Sequence, residues 1–158
     1  MKVITIVDED FVNYKKASMY IAFPNCSFKC GKNICQNSPL ATQPRIDISY
    51  ESIVRRYLNN QYTNAIVFAG LEPFDDFTDL ELLINEFRIY TDDDIVIYTG
   101  YNKDEIQERI NYLKDTCGYK NIIIKFGRYI PKLIQESHYD EVLGVNLASD
   151  NQYAERIC

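Results

Sequence analysis

Apolar positions along this chain fall into two alternating patterns. Short consecutive runs, Val3 to Val7, Met19 to Phe23, Ala65 to Ala69, Ile95 to Tyr98 and Ile122 to Ile124, have the length and composition of buried strands. Between them apolar residues recur every three or four positions. Tyr50, Ile53, Val54, Tyr57 and Leu58 mark one helix face, with Ser49 placed to cap it. Leu80, Leu83, Ile84 and Phe87 mark a second, with Thr78 and Glu81 at capping-box spacing. Ile106, Ile110 and Leu113 mark a third, opened by Asn102 and Glu105 and stopped at Gly118. Val142 to Val145 and Tyr153 to Ile157 complete the series.

Strands separated by amphipathic helices predict parallel βαβ units with right-handed crossovers. A full eight-fold barrel takes ~250 residues, and this chain has 158. The expected fold is therefore α/β, a partial (β/α) barrel of parallel strands with outer helices. One domain, 1–158, is expected, since no linker, repeat or low-complexity stretch interrupts it. Chemistry in such folds sits where strands end and loops begin. Cys26, Gly70, Thr99 and Lys125 all follow strand C-terminal ends, which points to one shared site.

The strongest chemical signal is the loop at 24–37. Cys26, Cys30 and Cys35 lie within ten residues and are followed by Gln36 and Asn37. Three thiolates on one loop suit a zinc ion or an iron–sulfur cluster. A closed structural site wants four protein ligands, whereas a reactive one keeps a position open. No fourth cysteine is near in sequence. Completion of a zinc site by Cys117 or by His138, the single histidine, is the alternative. Otherwise Cys117, in helical register with Ile110 and Leu113, reads as a small core residue, His138 as a surface residue, and Cys158 as a mobile terminus. Gly70 to Pro73 is a second candidate, because glycine lets backbone approach a ligand and Glu72 can accept from an ammonium group. Its simpler reading is a turn with a solvated acid.

Composition narrows the partners. The net charge of −6, without a basic patch, argues against nucleic acid. No apolar run reaches the ~20 residues of a membrane helix, and no signal pattern opens the sequence, so a cytoplasmic protein is expected. An odd count of five cysteines argues against a disulfide framework.

Taken together, the cysteine loop and Gly70-Leu71-Glu72-Pro73 resemble the radical S-adenosylmethionine superfamily. Within it the chain is similar to the activating proteins of anaerobic (class III) ribonucleotide reductases along nearly its whole length. Asp8 to Phe23 is similar to their lead-in, Cys35-Gln36-Asn37 to their Cys-Tyr-Asn, Ile97 to Tyr101 to their strand ending in Tyr-Thr-Gly-Tyr, and Ser149 to Gln152 to their Ser-x-Asn-Gln. The chain departs from that pattern at three points. Four residues separate Cys30 from Cys35 where the family has two, Ile34 stands where an aromatic residue is common, and Leu71 replaces a glycine.

The resemblance implies a [4Fe–4S] cluster held by Cys26, Cys30 and Cys35, its fourth iron open to S-adenosylmethionine. It implies that Gly70 and Glu72 hold the methionine amino group, Ile34 and Gln36 meet the adenine and Thr99 the ribose. Lys125 would hold the carboxylate as a lysine does in related glycyl-radical activases, whereas the ribonucleotide-reductase type more often has an acid there. A surface lysine is its simpler reading. The implied activity is reductive cleavage of the cofactor to a 5′-deoxyadenosyl radical that takes hydrogen from a glycine of the reductase. A flavodoxin or ferredoxin would supply the electron. The rival classes are a radical enzyme acting on another protein, peptide or small molecule, and a non-catalytic iron–sulfur or zinc module.

Overall fold

A computed structural model describes residues 1–116, 119–133 and 138–158. In chain order its elements are β1 (Lys2–Val3), β2 (Thr5–Asp10), β3 (Ser18–Phe23), β4 (Ile46–Asp47), α1 (Tyr50–Leu58), β5 (Ala65–Gly70), α2 (Phe77–Arg88), β6 (Asp94–Tyr98), α3 (Gln107–Asn111), β7 (Ile122–Phe126), β8 (Tyr139–Asp140), β9 (Val145–Asn146) and β10 (Tyr153–Arg156). Six strands form the main sheet in the order β10-β7-β6-β5-β3-β2. The inner four run parallel, with Met19 beside Ile66, Ile66 beside Ile95 and Ile95 beside Ile122. The outer two are antiparallel, β2 against β3 and β10 against β7. An all-parallel sheet was expected. Residues 11–17 are too few for the crossover that a parallel β2–β3 pair requires, so β2 turns straight back. The sheet is open, with β2 and β10 as its edges.

The two faces carry different volumes of side chain. On one, Met19, Ile21, Phe23, Ile66, Phe68, Ile95, Ile97, Ile122 and Ile124 pack against Ile53, Val54 and Tyr57 of α1, Leu80, Leu83, Ile84 and Phe87 of α2, and Ile110 of α3. The other face is built from Ala65, Val67, Ala69, Val96 and Ile123, covered in part by Leu143. Small residues at alternate positions of β5 leave room above the sheet on this second side. No described helix is long and apolar enough to cross a membrane.

Local signals fared unevenly. Ser49 caps α1 by accepting the Ser52 N–H at 3.2 Å, and Asn102 with Glu105 forms a capping box. The Thr78–Glu81 box is absent. The chain has already turned at Pro73–Asp76, a 3-10 turn capped by Glu72, so Thr78 falls inside α2 and faces solvent. The third helix begins as a 3-10 turn at Lys103–Ile106 and leaves α geometry at Tyr112–Thr116, while Ile106, Ile110 and Leu113 stay buried. Gly118 and Cys117 lie outside the described residues. Val3 to Val7 is split by a bend at Ile4. Residues 141–144 form the turn between β8 and β9 rather than a strand. Cys158 is held at the end of the sheet, its carbonyl accepting the Ile122 N–H at 3.2 Å, and is half-buried against the core.

At the opposite end of the sheet from the cysteine loop, Asp94 opens β6 and is 6% exposed. Its carboxylate receives Lys16 at 2.5 Å, Arg156 at 2.8 Å and the Tyr14 hydroxyl at 3.0 Å. Burial pushes this carboxyl up, but the three donors together hold it below its ordinary value. A depressed acid contributes stability above its unfolded pKa, and that stability is lost as pH falls through the folded value. Both cations are partly exposed, so screening reduces their share. Asp94→Asn is expected to lower unfolding free energy by about 1–3 kcal/mol at pH 7, measured by urea titration. The gap from the parent should narrow as pH falls below the ordinary carboxylate range and close once Asp94 is protonated in the folded state as well.

Candidate metal centre

All four parallel strands end at one rim. β3 releases the cysteine loop, β5 ends in Gly70, and the exits of β6 and β7 carry Thr99 and Gly127. A cavity of about 460 Å³ opens there, lined by Cys26, Cys30, Cys35, Gln36, Gly70, Glu72, Thr99 and Lys125 together with Tyr20 and Tyr98 from the small-residue face. Eight of the nine expected site residues thus share one cavity. Ile34 is not among its walls and is 47% exposed.

Gly70 sets the rim. Its φ is +93°, and a Cβ there would lie 2.7 Å from the Ala22 Cα. Only glycine allows β5 to end this close to β3. Glu72 follows, 4% exposed. Its Oε1 accepts from the Thr99 hydroxyl at 2.7 Å and the Phe74 N–H at 3.2 Å, and its Oε2 from the Gly100 N–H at 2.8 Å. Burial pushes this carboxyl up to about 7, against the opposing pull of those three donors. Thr99 is itself buried, and its oxygen also accepts the Tyr101 N–H at 3.0 Å. Lys125 is 7% exposed, donates to the Gly127 carbonyl at 3.0 Å and is pushed down to about 8 by burial, with Glu72 acting the other way.

The cysteine loop is a series of turns tied down at both ends. Leu71 N–H donates to Phe23 O at 3.2 Å and Glu72 N–H to Asn25 O at 2.9 Å. Asn37 Nδ2 donates to Gly70 O at 2.9 Å, and Arg45 to Pro24 O at 2.7 Å. The thiols are half-buried. Burial pushes Cys26 up to about 11, the Phe28 N–H opposes this, and the charges of Glu72 and Asp75 add to it. Cys30 is raised by burial and then by its neighbour Cys35.

A 4Fe-4S single cluster domain family matches residues 15–143. The chain belongs to that family. No curated protein and no solved structure gives a significant match.

For a member of this 4Fe-4S family, the donor set fits the cluster. Three thiols line one cavity, and the Phe28 N–H donates to Cys26 Sγ at 3.2 Å, the kind of backbone bond that supports cluster sulfur. Among the described residues no three ligating side chains stand together at metal-holding distance, so the thiols share a wall rather than a preassembled triad. His138 is not among the cavity walls. It is half-buried, its Nε2 2.7 Å from the Gln152 carbonyl. Cys117 lies outside the described residues.

Arg45 and Asp75 carried no sequence signal, and Asn37 and Ser149 to Gln152 stood out only by resemblance. Asn37 and Arg45 fix the loop, and Asp75 reaches it from the turn after Glu72. The Ser149 to Gln152 segment joins the cavity's far wall to the exit of β7. Gln152 Nε2 donates to Gly127 O at 3.2 Å and its Oε1 accepts the Ala148 N–H at 3.0 Å, while Asn151 donates to Arg128 O at 2.8 Å.

The buried ammonium of Lys125 yields a pH test. A lysine with a lowered folded pKa costs stability while both states are charged, and the cost is relieved as pH rises from the folded value towards the unfolded one. Between pH 8 and 10 the parent should gain about 2 kcal/mol relative to Lys125→Met, measured by urea unfolding of the metal-free chain. Parallel curves for the two proteins would mean that Lys125 reaches solvent in its charged form.

Proposed function

We propose that the protein is a radical S-adenosylmethionine enzyme that activates a glycyl-radical enzyme, with anaerobic ribonucleotide reductase as its substrate. The observation that carries this reading is the position of Glu72, a buried carboxylate in the same cavity as three cysteines. Among the described residues no fourth thiol or imidazole lines that cavity, which suits a cluster with one iron left to a cofactor. The open sheet is read, on this proposal, as the partial barrel of the superfamily.

When bound, the cluster and S-adenosylmethionine would supply an electron and a 5′-deoxyadenosyl radical able to take hydrogen from a partner's glycine. The chain's own work is positional. Cys26, Cys30 and Cys35 would hold iron. Glu72 would accept from the methionine ammonium, with Thr99 and Gly100 fixing the carboxylate plane. Lys125 donates one hydrogen bond to Gly127 and has further N–H groups to offer a carboxylate. Gln36 lines the cavity beside Cys35 and could meet the adenine. The small-residue face of the sheet keeps the space above it open for the nucleoside. A flavodoxin or ferredoxin is the proposed electron donor.

One observation favours the rival reading of a non-catalytic cluster module. Glu72 already accepts three internal hydrogen bonds, so its carboxylate would serve the turn even without a ligand. Activity separates the two. The anaerobically reconstituted, reduced protein is expected to convert S-adenosylmethionine to 5′-deoxyadenosine. Glu72→Ala should keep its iron while binding the cofactor roughly ten- to 150-fold more weakly, the worth of a charge-assisted hydrogen bond. An iron-loaded protein that releases no 5′-deoxyadenosine would leave the module reading in place.

Incubation with the reductase, reductant and S-adenosylmethionine should then give a glycyl doublet by electron paramagnetic resonance. Cofactor cleavage without that doublet would redirect the proposal to another protein, peptide or small-molecule substrate.

A further inference from the structure

We propose that Asp75 is the positioning residue of the cysteine loop, its two carboxylate oxygens holding the Ser27 N–H and the Tyr101 hydroxyl so that the Cys26–Cys30 arm meets the cavity. This inference rests on reading that loop as a cluster site. Asp75 lies in the first turn after Glu72, where an acid would ordinarily serve the local helix end. Its oxygens point elsewhere. Oδ2 accepts the Ser27 N–H at 2.6 Å and Oδ1 accepts the Tyr101 hydroxyl at 2.6 Å. The Ser27 and Tyr101 hydroxyls are 3.4 Å apart, which closes a three-residue ring across the loop, the turn after β5 and the exit of β6.

Three further observations tie the ring to the thiols. Ser27 sits between Cys26 and Phe28, and Phe28 has a φ of +52°. A bulky residue holds that conformation only where its surroundings enforce it. That conformation accompanies the hydrogen bond from the Phe28 N–H to Cys26 Sγ. Beyond Cys26, the Lys29 ammonium lies 4.6 Å from the Tyr101 ring centroid, so the ring anchored by Asp75 also seats the residue before Cys30. The loop's ends are fixed by Asn25, Asn37 and Arg45, but Ser27 is where a tertiary hydrogen bond reaches its interior. Two charge-assisted bonds on one carboxylate are strong enough to select one loop conformation.

The full chain tests this with and without iron. In the metal-free protein, Asp75→Ala should speed alkylation of Cys26 by iodoacetamide at least about ten-fold at fixed pH, as the loop opens. In the anaerobically reconstituted protein, Asp75→Ala should release iron to a ferrous chelator at least about ten-fold faster and shift the cluster's midpoint potential. Tyr101→Phe should fall between parent and Asp75→Ala. The double variant should be no faster than Asp75→Ala, because the two residues act as one unit. Asp75→Asn keeps the shape and one acceptor, so it should partly restore the parent behaviour, and it stands in for Asp75→Ala if that variant does not fold. Unchanged alkylation of Cys26 overturns the proposal whatever the iron does, and so does faster alkylation with parent-like iron retention. If the parent itself takes up no iron, the cluster reading fails, and the alkylation rates alone decide whether Asp75 positions the loop.

Discussion

The rim of this protein depends on one buried carboxylate. Glu72 lies at the point where the exit of β5, the exit of β6 and the following turn converge, and it joins all three by accepting from Thr99, Gly100 and Phe74. Burying an acid is costly unless donors meet it, and a partly satisfied network is worse than an apolar one. Here the donors are the Phe74 amide of the 3-10 turn, the Gly100 amide just past β6 and the hydroxyl of the short Thr99 side chain. The price of burial appears in the carboxyl's rise to about 7. Removing one donor would therefore disturb the neighbouring strand end as well as the acid.

The sheet's asymmetry makes the space that Glu72 faces. Large side chains of β3, β5, β6 and β7 point to the helices, where Phe23, Phe68 and Phe87 pack ring against ring. Opposite them, Ala65, Val67 and Ala69 of β5 fill little volume. Three helices cover one face, while among the described residues Tyr14 and the segment around Leu143 and Val145 cover part of the other. The cavity is thus a consequence of residue size at alternate strand positions, and Gly70 sharpens it by bringing two strand ends into contact.

Much of this was legible in the sequence because it rests on short-range rules. Strand runs, the α1 cap at Ser49 and the box at Asn102 follow from periodicity and from residues three apart. The cysteine loop and Glu72 announced themselves by residue type after a strand end. What escaped was long-range. The antiparallel edges follow from connection length and from which strand finds a partner. The failed box at Thr78 shows a local signal overruled by Pro73, which starts the turn earlier. Nothing local marks Asp75 until Ser27 and Tyr101, 48 and 26 residues away, are brought to it. Cys158 looked like a loose end, yet pairing with Ile122 seats it on the core.

Charge around the thiols bears on what the site will accept. Burial, with the charges of Glu72 and Asp75 adding to it, pushes the Cys26 thiol up, so its surroundings disfavour the thiolate. Nearby cations offset only part of this, Arg128 acting on Cys30 from the cavity wall. Arg128 forms a bidentate pair with Glu105, at 2.7 and 2.8 Å, and Lys125 is buried against Gly127. Three thiolates beside Glu72 and Asp75 would be strongly anionic without a positive occupant. A bound cluster's iron would meet that requirement, taking the place of the thiol protons and supplying the missing charge. The same field would favour an ammonium group next to Glu72. Both proposed readings share the first consequence, and only the catalytic one uses the second.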